Sequence, residues 1–519
     1  MATQDVPITD VRGTTVRLLH HLLDQAAESH GEAAALRDTA GVWTYAELAA
    51  ASQAAANWLR AQGVRPGHRV VVGAFPQRHV VALLYGCSRL GAAFAPVSPY
   101  MPEYQLNAVL ADIRPSLTLC DAQEIVAAVA FAERMAATSA RPAATTPPGP
   151  EGSAVEVTPP VQGFPRPTDT ALLLLTSGST AVPKAVICPH RPILFATDAI
   201  ARRLRYRPDD VVYCRLPLSF DYGLYQVFLA AQACAELVLA EASPAADARL
   251  LSALHTAGAT VVPVVPSLAT MLVRLARRPG PRPPVRLFTN TGEHLSQQLA
   301  DELRASFPGA GLHMMYGTTE CKRVTIAERD ADVEHPGSVG KPLDGTTVRI
   351  SGPDGSPLPP GQSGEITVSG PHLMSGYWEA PQLTAQVFGN DPETGQPMLY
   401  TGDFGHMDAS GHLYFEGRRD HIFKQRGVRT STVEIEAAAQ TLPGVISAVV
   451  LPPGSTGEAV LCVLGEARQE TVQRGLRSLV GPAKVPPVCR VFRDFPLTAN
   501  GKIDRNRLTV LVRDEDDYR

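Results

Sequence analysis

Residues 172–186, which read LLLLTSGSTAVPKAV, decide the fold. The leucines predict a buried strand, and the small hydroxyl residues around a glycine predict a phosphate-binding loop after it. In such a loop, backbone N–H groups and hydroxyls converge on phosphate oxygens while a lysine adds a mobile positive charge. It is not a Walker A loop, because Pro183 stands where that motif requires glycine before lysine. The candidate phosphate-binding residues are Thr176, Ser177, Gly178, Ser179, Thr180 and Lys184.

Short β-branched runs alternate with helical patterns on both sides of this loop. Residues 14–29 and 45–62 have apolar positions at helical spacing, whereas residues 69–73, 259–265 and 285–290 are predicted strands. This alternation predicts α/β architecture with largely parallel sheets.

Changes in composition along the chain predict two domains. Residues 139–167 are rich in Pro, Gly, Thr and Ala, which predicts a loop or linker. Residues 345–415 contain short strand patterns punctuated by Gly and Pro, which predicts a small β-rich subdomain. We therefore predict a large N-terminal domain, residues 1–416, of α/β subdomains plus this β-rich one, joined by a hinge to a small α+β C-terminal domain, residues 417–519.

Composition restricts the class of protein and its partners. Of the 519 residues, 45% are hydrophobic and 19% charged, which is ordinary globular composition. A net charge of -4 without a long basic run argues against nucleic acid and anionic lipid as partners, so we expect a small-molecule substrate. The eight scattered cysteines favour a reducing compartment and are predicted to be mostly core thiols. Neither a secretory signal nor a membrane-spanning run is recognisable, so we expect a cytoplasmic protein.

Five ordered segments resemble those of the adenylate-forming superfamily, which includes acyl-CoA synthetases, luciferases and the adenylation domains of nonribosomal peptide synthetases. They are TSGSTAVPK at 176–184, YGTTE at 316–320, LYTGD at 399–403, GRRD at 417–420 and PLTANGKIDR at 496–505. The chain departs from the superfamily at Ala181 and Ala185, where glycine is usual, and at Tyr400, where arginine is usual.

The resemblance implies that the second and third segments bind ATP and Mg²⁺. Tyr316 would lie near the adenine base or the acyl carboxylate, and Glu320 would hold Mg²⁺. Asp403 would bind the ribose hydroxyls, since a carboxylate accepts two hydroxyl hydrogen bonds at once. Thr319 would lie beside the α-phosphate, and the remaining members of this expected site are Gly317 and Thr318.

The last two segments imply a movable C-terminal domain. Arg418 would approach the ribose or the phosphates, and the small domain would turn about Asp420 after adenylation, withdrawing the catalytic Lys502. Gly427 would then lie along the tunnel for the thiol, where glycine permits close backbone approach. No general base is required, because the attacking carboxylate is already ionised at neutral pH.

The segment LPLSFDYGLY at 216–225 bears on the identity of the acid. Asp221 falls where amino-acid adenylation domains carry the aspartate that binds the substrate ammonium, and a carboxylate in an apolar pocket needs such a cation. The alternative is a structural aspartate bonded to backbone amides. Arg323 would either meet a second substrate carboxylate or pair with a nearby acid, and the second alternative is favoured. Further pocket residues implied by the resemblance are Phe220, Tyr222, Tyr225, Asn290, Thr291, Gly292 and Met315.

Together these features predict an ATP-dependent, AMP-forming ligase that adenylates a carboxylic acid, with an α- or β-amino acid favoured. No segment resembles the attachment site of a carrier domain, so the thiol is expected to arrive separately, as CoA or, as we favour, as the phosphopantetheine of a discrete carrier protein. An acyl- or aryl-CoA ligase is the first alternative. A non-catalytic binding protein that kept the fold is the second.

Overall fold

A computed structural model describes residues 8–9, 15–16, 18–139, 165–176, 183–242, 244–280, 282–391, 394–418, 422–426, 428–453, 458–498 and 502–516. Most of the predicted linker at 139–167 therefore lies outside the described residues. The same holds for six predicted site residues, namely Ser177, Gly178, Ser179, Thr180, Asp420 and Gly427.

Strands and helices alternate through the first part of the chain, as predicted. The elements up to residue 139 are β1 (Ile8–Thr9), β2 (Thr15–Val16), α1 (Leu19–His30), β3 (Ala34–Asp38), β4 (Gly41–Thr44), α2 (Tyr45–Ala61), β5 (Arg69–Gly73), α3 (Arg78–Leu90), β6 (Ala93–Val97), α4 (Glu103–Ile113), β7 (Leu117–Leu119) and α5 (Ala122–Ser139). Those from residue 170 to 316 are β8 (Thr170–Thr176), β9 (Lys184–Pro189), α6 (His190–Leu204), β10 (Val211–Cys214), α7 (Asp221–Ala233), β11 (Glu236–Leu239), α8 (Pro244–Ala248), α9 (Leu250–Ala257), β12 (Val261–Val264), α10 (Pro266–Ala276), β13 (Leu287–Asn290), α11 (Gln297–Ser306) and β14 (Gly311–Tyr316).

Strands predominate in the next hundred residues, and a compact mixture of strands and helices follows. The first group is β15 (Thr325–Ile326), β16 (Lys341–Pro342), β17 (Thr347–Ser351), β18 (Gly364–Ser369), α12 (Pro381–Val387), β19 (Phe388–Asn390), β20 (Pro397–Met407) and β21 (Leu413–Arg418). The second is β22 (Ile422–Gln425), β23 (Val428–Ser431), α13 (Thr432–Gln440), β24 (Val445–Leu451), β25 (Val460–Gly465), α14 (Gln469–Val480), β26 (Val488–Phe492) and α15 (Arg505–Asp516).

Two mostly parallel sheets form the large part of the molecule. One has nine strands in the order β16-β15-β14-β13-β12-β10-β11-β3-β4, and the other has five in the order β7-β5-β6-β8-β9. Both contribute to one hydrophobic core, in which Leu36, Val72, Leu172 and Val212 are fully or almost fully buried. The prediction of largely parallel α/β sheets is confirmed.

A separate antiparallel sheet holds β17, β18, β20, β19 and β21, and it coincides with the predicted β-rich region. Its last strand ends at Arg418, next to the predicted domain boundary. The three-stranded sheet β24-β25-β26 and its helices have a core of their own, which includes Ile435, Val450, Leu461 and Leu476. The chain therefore divides its apolar side chains among several local cores.

The main local difference from the sequence prediction is at the first helix. The pattern at 14–29 predicts a helix, but Thr15 and Val16 form a strand and the helix begins at Leu19. Two β-branched residues favour an extended backbone here over the apolar periodicity that follows them. All eight cysteines are free and all but the half-buried Cys120 are buried, as predicted. Within the described residues, no helix combines the length and apolar character needed to cross a bilayer.

Candidate active site

A cleft of about 1440 Å³ lies where the large sheets, the antiparallel sheet and the C-terminal segment meet. Most of the predicted site residues that the structure describes line it. They are Thr176, Lys184, Phe220, Asp221, Asn290, Thr291, Gly292, Met315, Tyr316, Gly317, Thr318, Thr319, Glu320, Arg323, Asp403, Arg418 and Lys502. The tertiary structure thus brings together segments that are up to 326 positions apart in the sequence numbering, from Thr176 to Lys502.

The floor of the cleft is formed at the carboxyl ends of parallel strands, where open α/β sheets bind ligands. Strand β13 ends at Asn290 and β14 ends at Tyr316, so the residues that follow each strand enter the cleft side by side. On the other sheet, β8 ends at Thr176. Two of the motifs therefore enter the cleft because each begins at the end of a buried strand, the predicted phosphate loop after β8 and the YGTTE segment after β14.

The predicted phosphate loop begins and ends on one antiparallel pair. Thr176 of β8 pairs with Lys184 of β9, and the Thr176 hydroxyl donates a 3.3 Å hydrogen bond to the Lys184 carbonyl. Residues 177–182 between them lie outside the described part of the chain. The pairing nevertheless places both ends of the loop at the cleft.

Asp403 is held by residues from two sheets. The hydroxyl of Tyr316 donates a 2.7 Å hydrogen bond to its Oδ2, and Nε of Arg418 lies 3.1 Å from its Oδ1. Burial raises the pKa of the Asp403 carboxyl, whereas Arg418 and Tyr316 favour its charged form. The Tyr316 ring stacks on Phe415, with ring centroids 5.6 Å apart. This arrangement presents a fixed carboxylate beside an aromatic surface.

Gly317 allows the chain to fold back on itself directly after β14. A side chain at this position would bring its Cβ to 1.8 Å from the carbonyl oxygen of Lys322, which is far inside van der Waals contact. Lys322 has a left-handed backbone with φ of 65° and is fully buried, and its Nζ donates a 2.8 Å hydrogen bond to the Thr319 carbonyl. This tight backbone turn therefore fixes the orientation of Thr319 and Glu320.

Glu320 has the chemistry expected of a magnesium ligand. Its Oε1 accepts a 2.6 Å hydrogen bond from the Tyr377 hydroxyl, which orients the carboxylate at the edge of the cleft. Burial and, after it, the nearby charge of Glu320 raise the pKa of Tyr377, which keeps that hydroxyl a donor. A carboxylate oxygen beside a phosphate site suits Mg²⁺, which prefers oxygen ligands and retains several waters. The residues present fit this ion.

At another end of the cleft, charged groups of both signs lie close together. Asp221 begins α7 and is 7% exposed, and its Oδ2 lies 3.8 Å from Nη1 of Arg323. Arg323 also donates a 3.0 Å hydrogen bond to the Lys322 carbonyl and lies over the ring of Tyr222. The favoured alternative for Arg323, pairing with a nearby acid, thus matches the structure. A helix N-terminus adds a favourable dipole for the Asp221 carboxylate.

Two predicted pocket residues are not on the cleft surface. The Tyr222 hydroxyl donates to the Thr289 carbonyl at 2.6 Å, so its polar end faces the sheet. Tyr225 is 2% exposed and packs edge-on against Phe228. Both follow Asp221 on α7, where helical geometry turns their side chains into the core behind the wall. Neither residue is among those that line the cleft, so direct substrate contact by Tyr222 and Tyr225 stays a prediction.

Lys502 reaches into the cleft from the C-terminal segment. Its Nζ lies 4.7 Å from the centroid of the Phe220 ring and close to Gly292. Burial lowers the pKa of Lys502, while Glu293 and Asp221 oppose that effect. Burial likewise raises the pKa of Glu293 to about 7, against the influence of Lys502 and Arg505.

Sequence reasoning missed two residues that the tertiary structure makes important. Tyr377 orients Glu320, and Glu293 faces Lys502. Glu293 could have been suspected from its place next to Gly292 after a predicted strand. Tyr377 carries no comparable signal, because its role depends on a contact with a residue 57 positions away.

Comparison with known proteins decides the family. A family model described as AMP-binding enzyme matches residues 23–378. The chain belongs to the AMP-binding enzyme family. This membership confirms the predicted resemblance to the adenylate-forming superfamily.

The chain is also similar to parts of large peptide synthetases. It is 33% identical over 480 residues to CymA of Salinispora arenicola, a probable nonribosomal peptide synthetase, with 90% of this chain and 6% of that protein covered. It is 31% identical over 533 residues to enterobactin synthase component F of Escherichia coli, covering 96% of this chain and 39% of that protein. The chain thus spans well under half the length of these relatives.

Several solved structures resemble the chain over much more of their own length. VinN is 40% identical, with a TM-score of 0.66, and the match covers 77% of this chain and 98% of VinN. VinN in complex with L-aspartate is 41% identical with the same TM-score and coverage. ATP-bound MatB of Rhodopseudomonas palustris is 24% identical with a TM-score of 0.77, covering 96% of this chain and 99% of MatB, which supports the predicted fold class.

Proposed function

We propose that this protein adenylates an amino acid that carries a second carboxylate and transfers the acyl group to the phosphopantetheine thiol of a separate carrier protein. The pair of opposite charges formed by Asp221 and Arg323 at the cleft is the observation that supports this substrate class. Family membership and the cleft-lining motif residues support the adenylation step.

The charges at this end of the cleft are complementary to an amino dicarboxylic acid. One carboxylate, Asp221, lies 3.8 Å from one cation, Arg323, and both residues line the cleft. A substrate ammonium would pair with Asp221, and the carboxylate that does not react would pair with Arg323, so that no buried charge is left without a partner. The complexes of VinN with L-aspartate and with 3-methylaspartate favour the same class.

In the first half-reaction, a substrate carboxylate oxygen attacks the α-phosphorus of ATP, and the bond to diphosphate breaks. Both reactants are anionic, so the site must offset their repulsion and align them. Lys184 and Lys502 would supply positive charge, and Asp403, oriented by Tyr316, would bind the ribose hydroxyls. Mg²⁺ bound at Glu320 would neutralise charge on the phosphates.

In the second half-reaction, the thiol sulfur attacks the acyl carbonyl carbon and AMP leaves. We assign residues 417–519 to a domain that turns about Asp420, which would withdraw Lys502 and open a path beside Gly427 for the thiol. Similarity to peptide synthetases favours a carrier-bound thiol over CoA.

A diphosphate-exchange assay over a panel of acids tests the proposal. The panel holds L-aspartate, 3-methylaspartate, β-alanine, succinate, benzoate and octanoate, each with ATP and Mg²⁺. We expect the highest kcat/KM with an amino dicarboxylic acid, followed by thioester formation on a carrier protein rather than on CoA. Preference for benzoate or octanoate, with CoA as acceptor, would favour the acyl- or aryl-CoA ligase instead. ATP binding without exchange for any acid would favour the non-catalytic alternative.

Matched variants separate the roles of the two charged residues. Asp221→Asn should lower kcat/KM for aspartate about tenfold or more, while succinate, which has no ammonium, should be affected much less. Arg323→Met should penalise aspartate and succinate but spare β-alanine. If Asp221→Asn lowers kcat/KM equally for aspartate, succinate and β-alanine, then Asp221 has a structural role and does not bind the substrate ammonium.

A further inference from the structure

The segment that carries Lys502 is a short loop closed at its base by main-chain hydrogen bonds. The N–H of Thr498 donates to the Lys502 carbonyl at 2.7 Å, and the Lys502 N–H donates to the Thr498 hydroxyl at 3.2 Å. The Asp504 N–H donates to the Pro496 carbonyl at 2.8 Å. These bonds join the described residues on the two sides of positions 499–501, and a further contact is needed to orient Lys502 on the neighbouring elements.

Arg505 provides that contact at the first position of α15. Its Nη1 donates a 2.7 Å hydrogen bond to the Val450 carbonyl of β24, and its Nη2 donates a 2.7 Å hydrogen bond to Oε1 of Glu436 on α13. The same Oε1 accepts a 2.7 Å hydrogen bond from the Val450 N–H. Glu436 and Arg505 thus join α13, β24 and α15 directly behind the Lys502 loop.

This pair is partly buried. The Glu436 side chain is 15% exposed and that of Arg505 is 29% exposed. Burial raises the pKa of the Glu436 carboxyl, and the charge of Arg505 is the largest influence that opposes the shift. The planar guanidinium binds two acceptors in fixed directions, which a lysine ammonium does not reproduce.

We propose that Glu436 and Arg505 are positioning residues for adenylation, whose ion pair orients the loop so that Lys502 projects into the cleft. Neither residue is among those that line the described cleft, so their effect on the reaction passes through Lys502. A small rotation at Arg505 would displace the Lys502 ammonium, three residues away, from its place over Phe220. The inference rests on the proposed function, because it concerns the half-reaction that needs Lys502.

Conservative variants on the full chain provide the test. We expect Glu436→Gln and Arg505→Lys each to lower kcat for diphosphate exchange about tenfold or more, with KM for ATP changed by less than about twofold. Glu434→Gln is the matched control, because Glu434 lies on the same helix and pairs with Lys484 at 2.6 Å, remote from the loop. The kcat of Glu434→Gln for diphosphate exchange should stay within about twofold of the wild-type value. Thioester formation from supplied acyl-adenylate should be unchanged in all three variants.

A double-mutant cycle with Lys502→Ala distinguishes positioning from general destabilisation. If the pair acts through Lys502, Glu436→Gln should cause no additional loss in the Lys502→Ala background. The proposal would be overturned if Glu436→Gln lowered the diphosphate-exchange rate further in the Lys502→Ala background. It would also be overturned if the variant lowered the rates of both half-reactions equally. Arg505→Lys supplies the same comparison if Glu436→Gln does not fold. Failure of the proposed function would look different, because the wild type would then exchange diphosphate with none of the acids.

Discussion

The hydroxyl of Tyr316 donates a 2.7 Å hydrogen bond to Oδ2 of Asp403 and so links the end of β14 to β20 of the antiparallel sheet. The two residues are 87 positions apart and belong to two different sequence motifs. Because the bond is buried, it fixes the direction of the carboxylate without screening by water. The remaining edge of Asp403 is then available to a ligand in the cleft only alongside Arg418.

Replacing Tyr316 with phenylalanine removes this bond and keeps the ring that stacks on Phe415. We expect KM for ATP to rise about tenfold, because losing a donor to a buried carboxylate costs on the order of 1 to 2 kcal/mol. Diphosphate exchange at varied ATP concentration measures the effect. Tyr414→Phe is the control, since its hydroxyl lies 3.3 Å from Asp408 at a hairpin turn away from the cleft. An equal rise in KM for ATP in both variants would contradict a role for the Tyr316–Asp403 hydrogen bond in ATP binding.

Lys502→Ala should abolish most adenylation and spare thioester formation. The variant removes a positive charge from the place where two anions meet, and losses of about 100-fold or more are typical for such groups. Exchange of diphosphate measures the first half-reaction, and consumption of supplied acyl-adenylate by a carrier thiol measures the second. Lys484→Ala serves as control, because Lys484 pairs with Glu434 at 2.6 Å and is not among the residues that line the cleft. Retained exchange in Lys502→Ala would remove this lysine from the reaction.

Glu293 should make stability depend on pH. Burial raises the pKa of its carboxyl from 4.5 to about 7, so the folded protein holds this proton more tightly than the unfolded chain does. The contribution of Glu293 to stability therefore falls as pH rises from 4.5 toward 7. Glu293→Gln removes this titrating carboxyl. The free energy of unfolding of the variant, relative to that of wild type, should therefore increase by about 2 kcal/mol between acid and mildly alkaline pH.

Denaturant titrations of both proteins at about pH 5 and about pH 8 measure this difference. A stability difference that stays constant, or that shrinks with rising pH, would show that the Glu293 carboxyl titrates in its ordinary range.

Gly317→Ala should damage the site through the backbone. The added Cβ would lie 1.8 Å from the Lys322 carbonyl oxygen, so the backbone turn after β14 would have to change its conformation. We expect a loss of stability of about 2 kcal/mol or more, as for other overpacked buried positions, together with weaker ATP binding. Gly352→Ala is the control, because the three atoms nearest its new Cβ belong to side chains, those of Asp354 at 3.1 Å, Leu358 at 3.4 Å and Ser356 at 3.5 Å. Thermal unfolding of both variants is the measurement.

Much of the fold follows from local sequence patterns. The strand at 69–73 and the helix at 45–62 agree with β5 and α2 almost to the residue, because alternating or helical apolar spacing and a capping threonine, Thr44, mark their limits. The β-rich region was equally visible from its Gly and Pro turns. Tyr222 and Tyr225 show the limit of such patterns, since the direction of a side chain on a helix depends on what packs behind it.

By itself, the sequence determined the chemistry available to this protein, namely an ordered set of hydroxyl, carboxylate and lysine residues in five motifs. Only the tertiary structure decided which of them meet. The Tyr316–Asp403 hydrogen bond, the Asp221–Arg323 pair and the anchoring of the Lys502 loop by Glu436 and Arg505 all join distant segments. The physical reason is that hydrophobic burial and sheet pairing set these distances, and neither is encoded within a single motif.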